Sequence, residues 1–262
     1  MSGFETISID TDPRGVATLV LNRPEKHNAL SALMIQEITQ AAEQLCADDA
    51  VRVVVLKGAG KSFCAGGDLG WMQDQMTADP QTRAHEAKAL AMMLNALNTL
   101  PKPLIGCLEG NAFGGGVGMA SVCDVALGIE SLKMGLTEVR LGLIPATIGP
   151  YVIARMGEAN ARRVFMSGRL FDADEAKDLG LLAKIVAPED MEAALEAEVK
   201  PYMAAAPEAV ARVKRLALDL GGHITEEMID HSIAELVACW ESETAKEGVS
   251  AFFDKRKAQW VS

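Results

Sequence analysis

The chain has 262 residues, 49% hydrophobic and 23% charged, an ordinary globular composition with enough length to bury a large core. That excludes a disordered, collagen-like or disulfide-dense protein. Lys and Arg number 25 against 36 Asp and Glu, a net charge of −11. Binding to a phosphate backbone needs dense cations, so nucleic acid is not an expected partner.

Met1 to Thr11 has no apolar h-region, so it does not read as a signal peptide. No run of about 18 apolar residues predicts a membrane span. The five cysteines, Cys46, Cys64, Cys107, Cys123 and Cys239, are scattered without a C-x-x-C pair, which fits a reduced, cytoplasmic chain. Phe4 to Asp10 alternates as a strand, Asp12-Pro13-Arg14-Gly15 is a turn, and Val16 to Leu21 is a second strand. Ser31 is placed to cap a helix whose apolar positions run from Leu33 to Leu45. Val51 to Leu56 reads as a buried strand and Lys61 to Gly70 as a loop. Arg83 to Leu100 reads as a helix stopped by Pro101 and Pro103. Leu104 to Leu108 is a strand, Gly110 to Gly116 a glycine-rich turn, Val117 to Cys123 helical, and Val125 to Ile129 a strand. Beyond Pro188 four helices are expected, over Met191 to Ala205, Glu208 to Leu218, Thr225 to Trp240 and Ser242 to Ala258. The pattern predicts an α/β core of mostly parallel strands over residues 1–188, with a helical region over 189–262.

Three local patterns carry little. Gly58-Ala59-Gly60-Lys61-Ser62 looks like the end of a phosphate-binding loop, but the earlier glycine that such a loop requires is Val55. The histidines, His27, His85, His223 and His231, show no metal-ligand spacing, so no metal is expected. No G-x-S-x-G elbow occurs. The informative stretch is Glu109 to Gly118, where Gly114-Gly115-Gly116 follows a strand and opens a helix. Glycine lets a ligand approach the backbone, and N–H groups at a helix start lack internal partners and favour negative charge. Ser62 to Leu69 is a second small-residue loop after a strand, so two loops can offer two N–H donors to one developing oxyanion. Glu138 sits in an apolar stretch, where burial raises a carboxyl pKa and fits it for proton transfer. For each feature alone a plain turn or a solvated glutamate is the competing reading.

Taken together, these stretches resemble the crotonase, or enoyl-CoA hydratase/isomerase, superfamily. The matching segments are Asn22-Arg23-Pro24 with Asn28-Ala29-Leu30, Phe63 to Leu69, Gly110 to Gly116 with Cys123-Asp124, Glu138 through Pro145, and Ala251 to Arg256, in family order over nearly the whole chain. The resemblance implies a crotonase-like spiral of ββα units. It also implies a helical C-terminal region that makes a homotrimer or homohexamer and completes part of the CoA site. The substrate implied is an acyl-CoA thioester, with no separate cofactor. The thioester oxygen is then held by the N–H groups of Gly67 and Gly115. Of the two glutamates that many hydratases of the family place around a water, one matches Glu138 and the other falls on Gly118. By resemblance the substrate and CoA-binding set is Arg23, Lys26, Ala29, Ala65, Gly67, Asp68, Leu69, Gly115, Gly118, Phe252 and Lys255. Asp124 is implied as structural. The segment from Met134 to Pro145 also resembles the branch that hydrates methylglutaconyl-CoA and related branched, carboxylated enoyl-CoAs. Arg140, two residues past Glu138 on what reads as an extended segment, is within reach of the same pocket; a surface arginine is its plainer reading. The expected activity is enoyl-CoA hydration. The alternatives are a Δ3,Δ2-enoyl-CoA isomerase using Glu138 alone and a non-catalytic acyl-CoA-binding module.

Overall fold

A computed structural model describes residues 3–261; Met1 and Ser2 of the N-terminal stretch, and Ser262, lie outside the described residues. In chain order the elements are β1 (Ile7–Thr11), β2 (Val16–Leu21), α1 (Ala32–Ala47), β3 (Val53–Gly58), β4 (Ser62–Cys64), α2 (Leu69–Thr77) and α3 (Pro80–Asn98). Then come β5 (Leu104–Leu108), β6 (Asn111–Phe113), α4 (Gly115–Val122), β7 (Val125–Ile129), β8 (Lys133–Gly135), α5 (Gly149–Met156) and α6 (Glu158–Phe165). The chain ends with β9 (Leu170–Asp172), α7 (Ala173–Asp178), β10 (Lys184–Val186), α8 (Met191–Met203), α9 (Pro207–Leu220), α10 (Glu226–Glu241) and α11 (Glu243–Phe253).

Two sheets result. The larger has the order β1-β2-β3-β5-β7-β10 and the smaller β4-β6-β8-β9. From β2 onward the large sheet is parallel, and Val53 to Leu56 is buried throughout, as a strand covered on both faces requires. Three successive turns of the chain each give one strand to the large sheet and then a three-residue strand to the small one: β3 then β4, β5 then β6, β7 then β8. This is the expected ββα spiral. The small sheet aligns Cys64 with Ala112 and Ala112 with Met134. Counting on along the chain, Gly67, Gly115 and Glu138 follow those paired positions by three, three and four residues. The register therefore carries both glycine turns and the acid to the same edge.

Several boundaries differ from those predicted. The Lys61 to Gly70 loop contains β4 and the first residues of α2, because Asp68 caps that helix by accepting from Gly70 N. The helix expected at Arg83 starts at Pro80, where Asp79 accepts from Thr82 N at 2.8 Å. The helix expected to reach Ala258 stops at Phe253. Ser31 does cap α1, accepting from Met34 N. Asp124 accepts from Leu104 N and from the Lys214 ammonium, each at 2.7 Å, tying β5 to α9. In the C-terminal region α10 lies against α3, and α11 against a 3-10 turn at Glu138–Leu141.

Candidate active site

The first turn is held by β-type pairing to Leu30, whose N–H donates to Gly66 O at 2.7 Å while Asp68 N donates to Leu30 O at 3.0 Å. This leaves the Gly67 N–H between them without a partner among the described residues. Gly115 opens α4, so its N–H also lacks an intrahelical acceptor. The turns touch each other: a Cβ on Gly66 would lie 3.2 Å from Phe113 O. Gly114 has φ +46°, and a Cβ there would sit 3.0 Å from Glu138 Oε1. Only glycine therefore fits the turn that faces the acid.

Glu138 is the first residue of the 3-10 turn and its carbonyl accepts from Leu143 N. Its carboxyl is buried, and Oε2 has no hydrogen-bond partner. Burial pushes its pKa up from 4.5 to about 7, opposed by a hydrogen bond from its own backbone. Arg140 shares this turn, which corrects the extended segment expected there.

A cavity of about 450 Å³ joins these groups. Of the residues predicted from sequence, Ala65, Gly67, Leu69, Gly115, Glu138 and Phe252 line it, and so does Arg140. The others lie outside its lining. Arg23 ion-pairs with Asp68 at 2.9 Å and donates to Ala29 O at 2.7 Å, bracing the first turn. That pairing, with hydrogen bonds from Gly70 N and Trp71 N, holds the Asp68 carboxyl below its usual range against the opposing effect of burial, which is the largest single contribution. Lys26 is exposed on a 3-10 turn, and Lys255 is exposed just past α11. Gly118 is buried in α4, where a Cβ would meet Ile148 Cγ2 at 2.7 Å and Leu94 Cδ1 at 3.2 Å. The place of a second acid is filled by hydrocarbon.

Proton-transfer chemistry beside an oxyanion cradle is what such a site can perform. The family model described as enoyl-CoA hydratase/isomerase matches residues 11–262. The chain belongs to that family. It is an enzyme of the hydro-lyase kind. The Alternaria alternata enoyl-CoA hydratase AKT6-1 is 31% identical, over 98% of this chain and 83% of its own. The crystal structure of an enoyl-CoA hydratase from Shewanella pealeana is 36% identical with a TM-score of 0.81, covering 98% of this chain and 97% of that one. A Mycobacterium avium enoyl-CoA hydratase structure aligns over the full length of both chains, with a TM-score of 0.87 and 28% identity.

Sequence reasoning missed the helical wall of the cavity. Trp71, Met72 and Gln75 come from α2, Arg83, Ala87 and Leu90 from α3, and Leu236 and Trp240 from α10. The Asp68 cap was the available signal for α2. The spacing of 83, 87 and 90 marked one face of α3 but not what that face lines. Among the described residues no helix is long and apolar enough to cross a membrane.

Proposed function

We propose that the enzyme adds water across the α,β double bond of an acyl-CoA thioester. The observation that carries this reading is a buried carboxyl with an unpartnered oxygen, next to two turns in which the Gly67 and Gly115 N–H groups have no partner among the described residues. The Gly67 and Gly115 N–H groups hold the thioester oxygen and the enolate that forms from it. With one acid present, Glu138 takes a proton from water as the hydroxyl bonds to C3, then delivers a proton to C2 as the enolate collapses. A pKa near 7 suits a group that must both accept and give up a proton. The acyl group we assign is branched or carboxylated, of the methylglutaconyl type, supported by two guanidinium groups, Arg83 and Arg140, on the cavity wall. CoA lies toward Arg23, Lys26, Phe252 and Lys255. Exposed Ile153, Met166 and Met228 form an apolar face that supports a trimer or hexamer, which sedimentation measures directly.

The hydrocarbon around Gly118 favours a second reading, Δ3,Δ2-enoyl-CoA isomerisation by Glu138 alone, because among the described residues the cavity lining holds no carboxylate besides Glu138. Incubating the enzyme with crotonyl-CoA, 3-methylglutaconyl-CoA and a 3-enoyl-CoA separates the two. Loss of enoyl absorbance on either of the first two supports hydration. Migration of the double bond in the third without hydration supports isomerisation. Glu138→Gln should lower the rate of either reaction by at least about 10²-fold while CoA binding persists, and a variant retaining full rate removes Glu138 from this role.

A further inference from the structure

The charged residues lining the cavity are Glu138, Arg140 and Arg83. Arg83 is the unusual one. It is only 8% exposed, on the α3 wall with Ala87 and Leu90, and its Cζ sits 5.5 Å from the centre of the Trp240 ring. Its Nε donates to Gln75 O at 2.8 Å and Nη2 to Met76 O at 3.2 Å, at the end of α2. Nη1 pairs with the Glu241 carboxylate. Those bonds occupy three of the five guanidinium N–H groups. Glu241 does not line the cavity, and its side chain is 54% exposed. A buried, permanently charged group is thus neutralised from the solvent side by a partner that water competes for. Trp71 and the buried Gln75 are fixed nearby, both donating to the Glu86 carboxylate, so around Arg83 the wall is aromatic and aliphatic apart from the Gln75 amide, whose nitrogen is already bonded.

We propose that Arg83 is the specificity residue of this enzyme, receiving the terminal carboxylate of a dicarboxylic acyl group, which takes over from Glu241 as its counter-ion. The proposal rests on the acyl-CoA reading above and deepens it. A carboxylate brought in with the acyl chain meets the guanidinium away from water, where a charge-assisted pair is stronger than the exposed one it replaces. Glu241 then turns out to solvent. Arg140 is exposed and stands two residues from the acid, a position suited to groups near the reacting carbons or to the phosphates of CoA. Arg83 is the cation set among the tail-side helices.

The test is calorimetric binding of glutaryl-CoA and butyryl-CoA to the full-length enzyme. These saturated thioesters differ by one terminal carboxylate and do not react. Glutaryl-CoA should bind about tenfold more tightly or better, the range of one charge-assisted pair. Arg83→Met should erase the preference. Glu241→Ala, at a half-exposed position that does not threaten folding, should enlarge it severalfold by removing the competing carboxylate. That arm stands even if Arg83→Met fails to fold. Equal binding of the two thioesters overturns the proposal and leaves the acyl-CoA reading intact. A preference that survives Arg83→Met but disappears in Arg140→Met, or one that shrinks in Glu241→Ala, also overturns it. Failure of both thioesters to bind overturns the acyl-CoA reading, and this proposal with it.

Discussion

Two kinds of wall meet in the cavity: one side is main chain, the N–H groups of Gly67 and Gly115, and the other is side chain, Trp71, Arg83 and Trp240 from α2, α3 and α10, with Trp71 close against Gly67. The first side is set by strand register and has no side chains to vary. The second is made of side chains whose backbone is regular helix. A donor made of backbone keeps its place through almost any sequence change that spares the strands and the glycines. A wall made of side chains can be rebuilt one residue at a time. On the reading proposed above, bond chemistry belongs to the backbone donors and to Glu138 on its 3-10 turn, and substrate choice to the helical wall.

The strongest way to break this division is at the acid. Glu138→Gln should lower turnover on the order of 10²–10⁴-fold, the usual contribution of a general acid/base, in steady-state assays on whichever thioester is processed. Gly114→Ala attacks the backbone side. An alanine at φ +46° is strained, and its methyl would press on the Glu138 carboxyl 3.0 Å away. A rate loss of about 10²-fold, with about 1–3 kcal/mol of destabilisation, is expected from kinetics and urea unfolding together.

A third prediction concerns pH. The Glu138 pKa is raised from 4.5 to about 7 in the fold, so the folded chain holds this proton more tightly than the unfolded one. The favourable contribution is complete below pH 4.5 and is lost as pH rises through about 7. The interval corresponds to about 3 kcal/mol as an upper bound. Urea midpoints at pH 5 and pH 8 should diverge more for the wild type than for Glu138→Gln; equal slopes would contradict burial of the acid. If the carboxylate is the kinetically required form, the rate should rise with an apparent pKa near 7. Gly118→Glu should not speed hydration, because Ile148 and Leu94 occupy the space, and it should cost about 2–4 kcal/mol in unfolding free energy. Paired with Ile148→Gly, which opens room, hydration of crotonyl-CoA should recover or exceed the single variant. The smallest effect belongs to Trp71→Phe, which keeps an aromatic side chain but loses the indole N–H and its bond to Glu86; a loss of about 1 kcal/mol in stability is expected.

The strands β5 and β7 were legible to the residue, because each is a five-residue apolar run with sharp ends, β5 between Pro103 and Glu109-Gly110 and β7 between Asp124 and Glu130. The three-residue strands β4, β6, β8 and β9 were not, since so few residues show no period. The same contrast holds in the site. The two glycine loops and Glu138 stood out locally as glycine clusters and an acid in an apolar stretch, and the family resemblance then singled out Gly67 and Gly115 within those loops. Arg83 and Trp240 did not stand out, because nothing in the sequence says that α3 and α10 face one another across 150 residues. Gly118 was visible as a missing acid, but only the packing of Ile148 shows that the space is closed.

The contact between α11 and the Glu138 turn has a consequence for the life of the chain. Gly248 lets that helix rest on the Leu141 carbonyl, where a Cβ would come within 2.4 Å, and Gly142 lets the turn rest on the Thr244 carbonyl. Backbone is thus braced on backbone, with Leu143, Trp240, Ala245 and Val249 packed alongside. A protease that removes α11 would therefore leave both sheets and the amide cradle with their own contacts but take away the support under the Glu138 turn. Such a cut is expected to silence turnover well before it unfolds the sheets, which limited proteolysis followed by activity and circular dichroism measures.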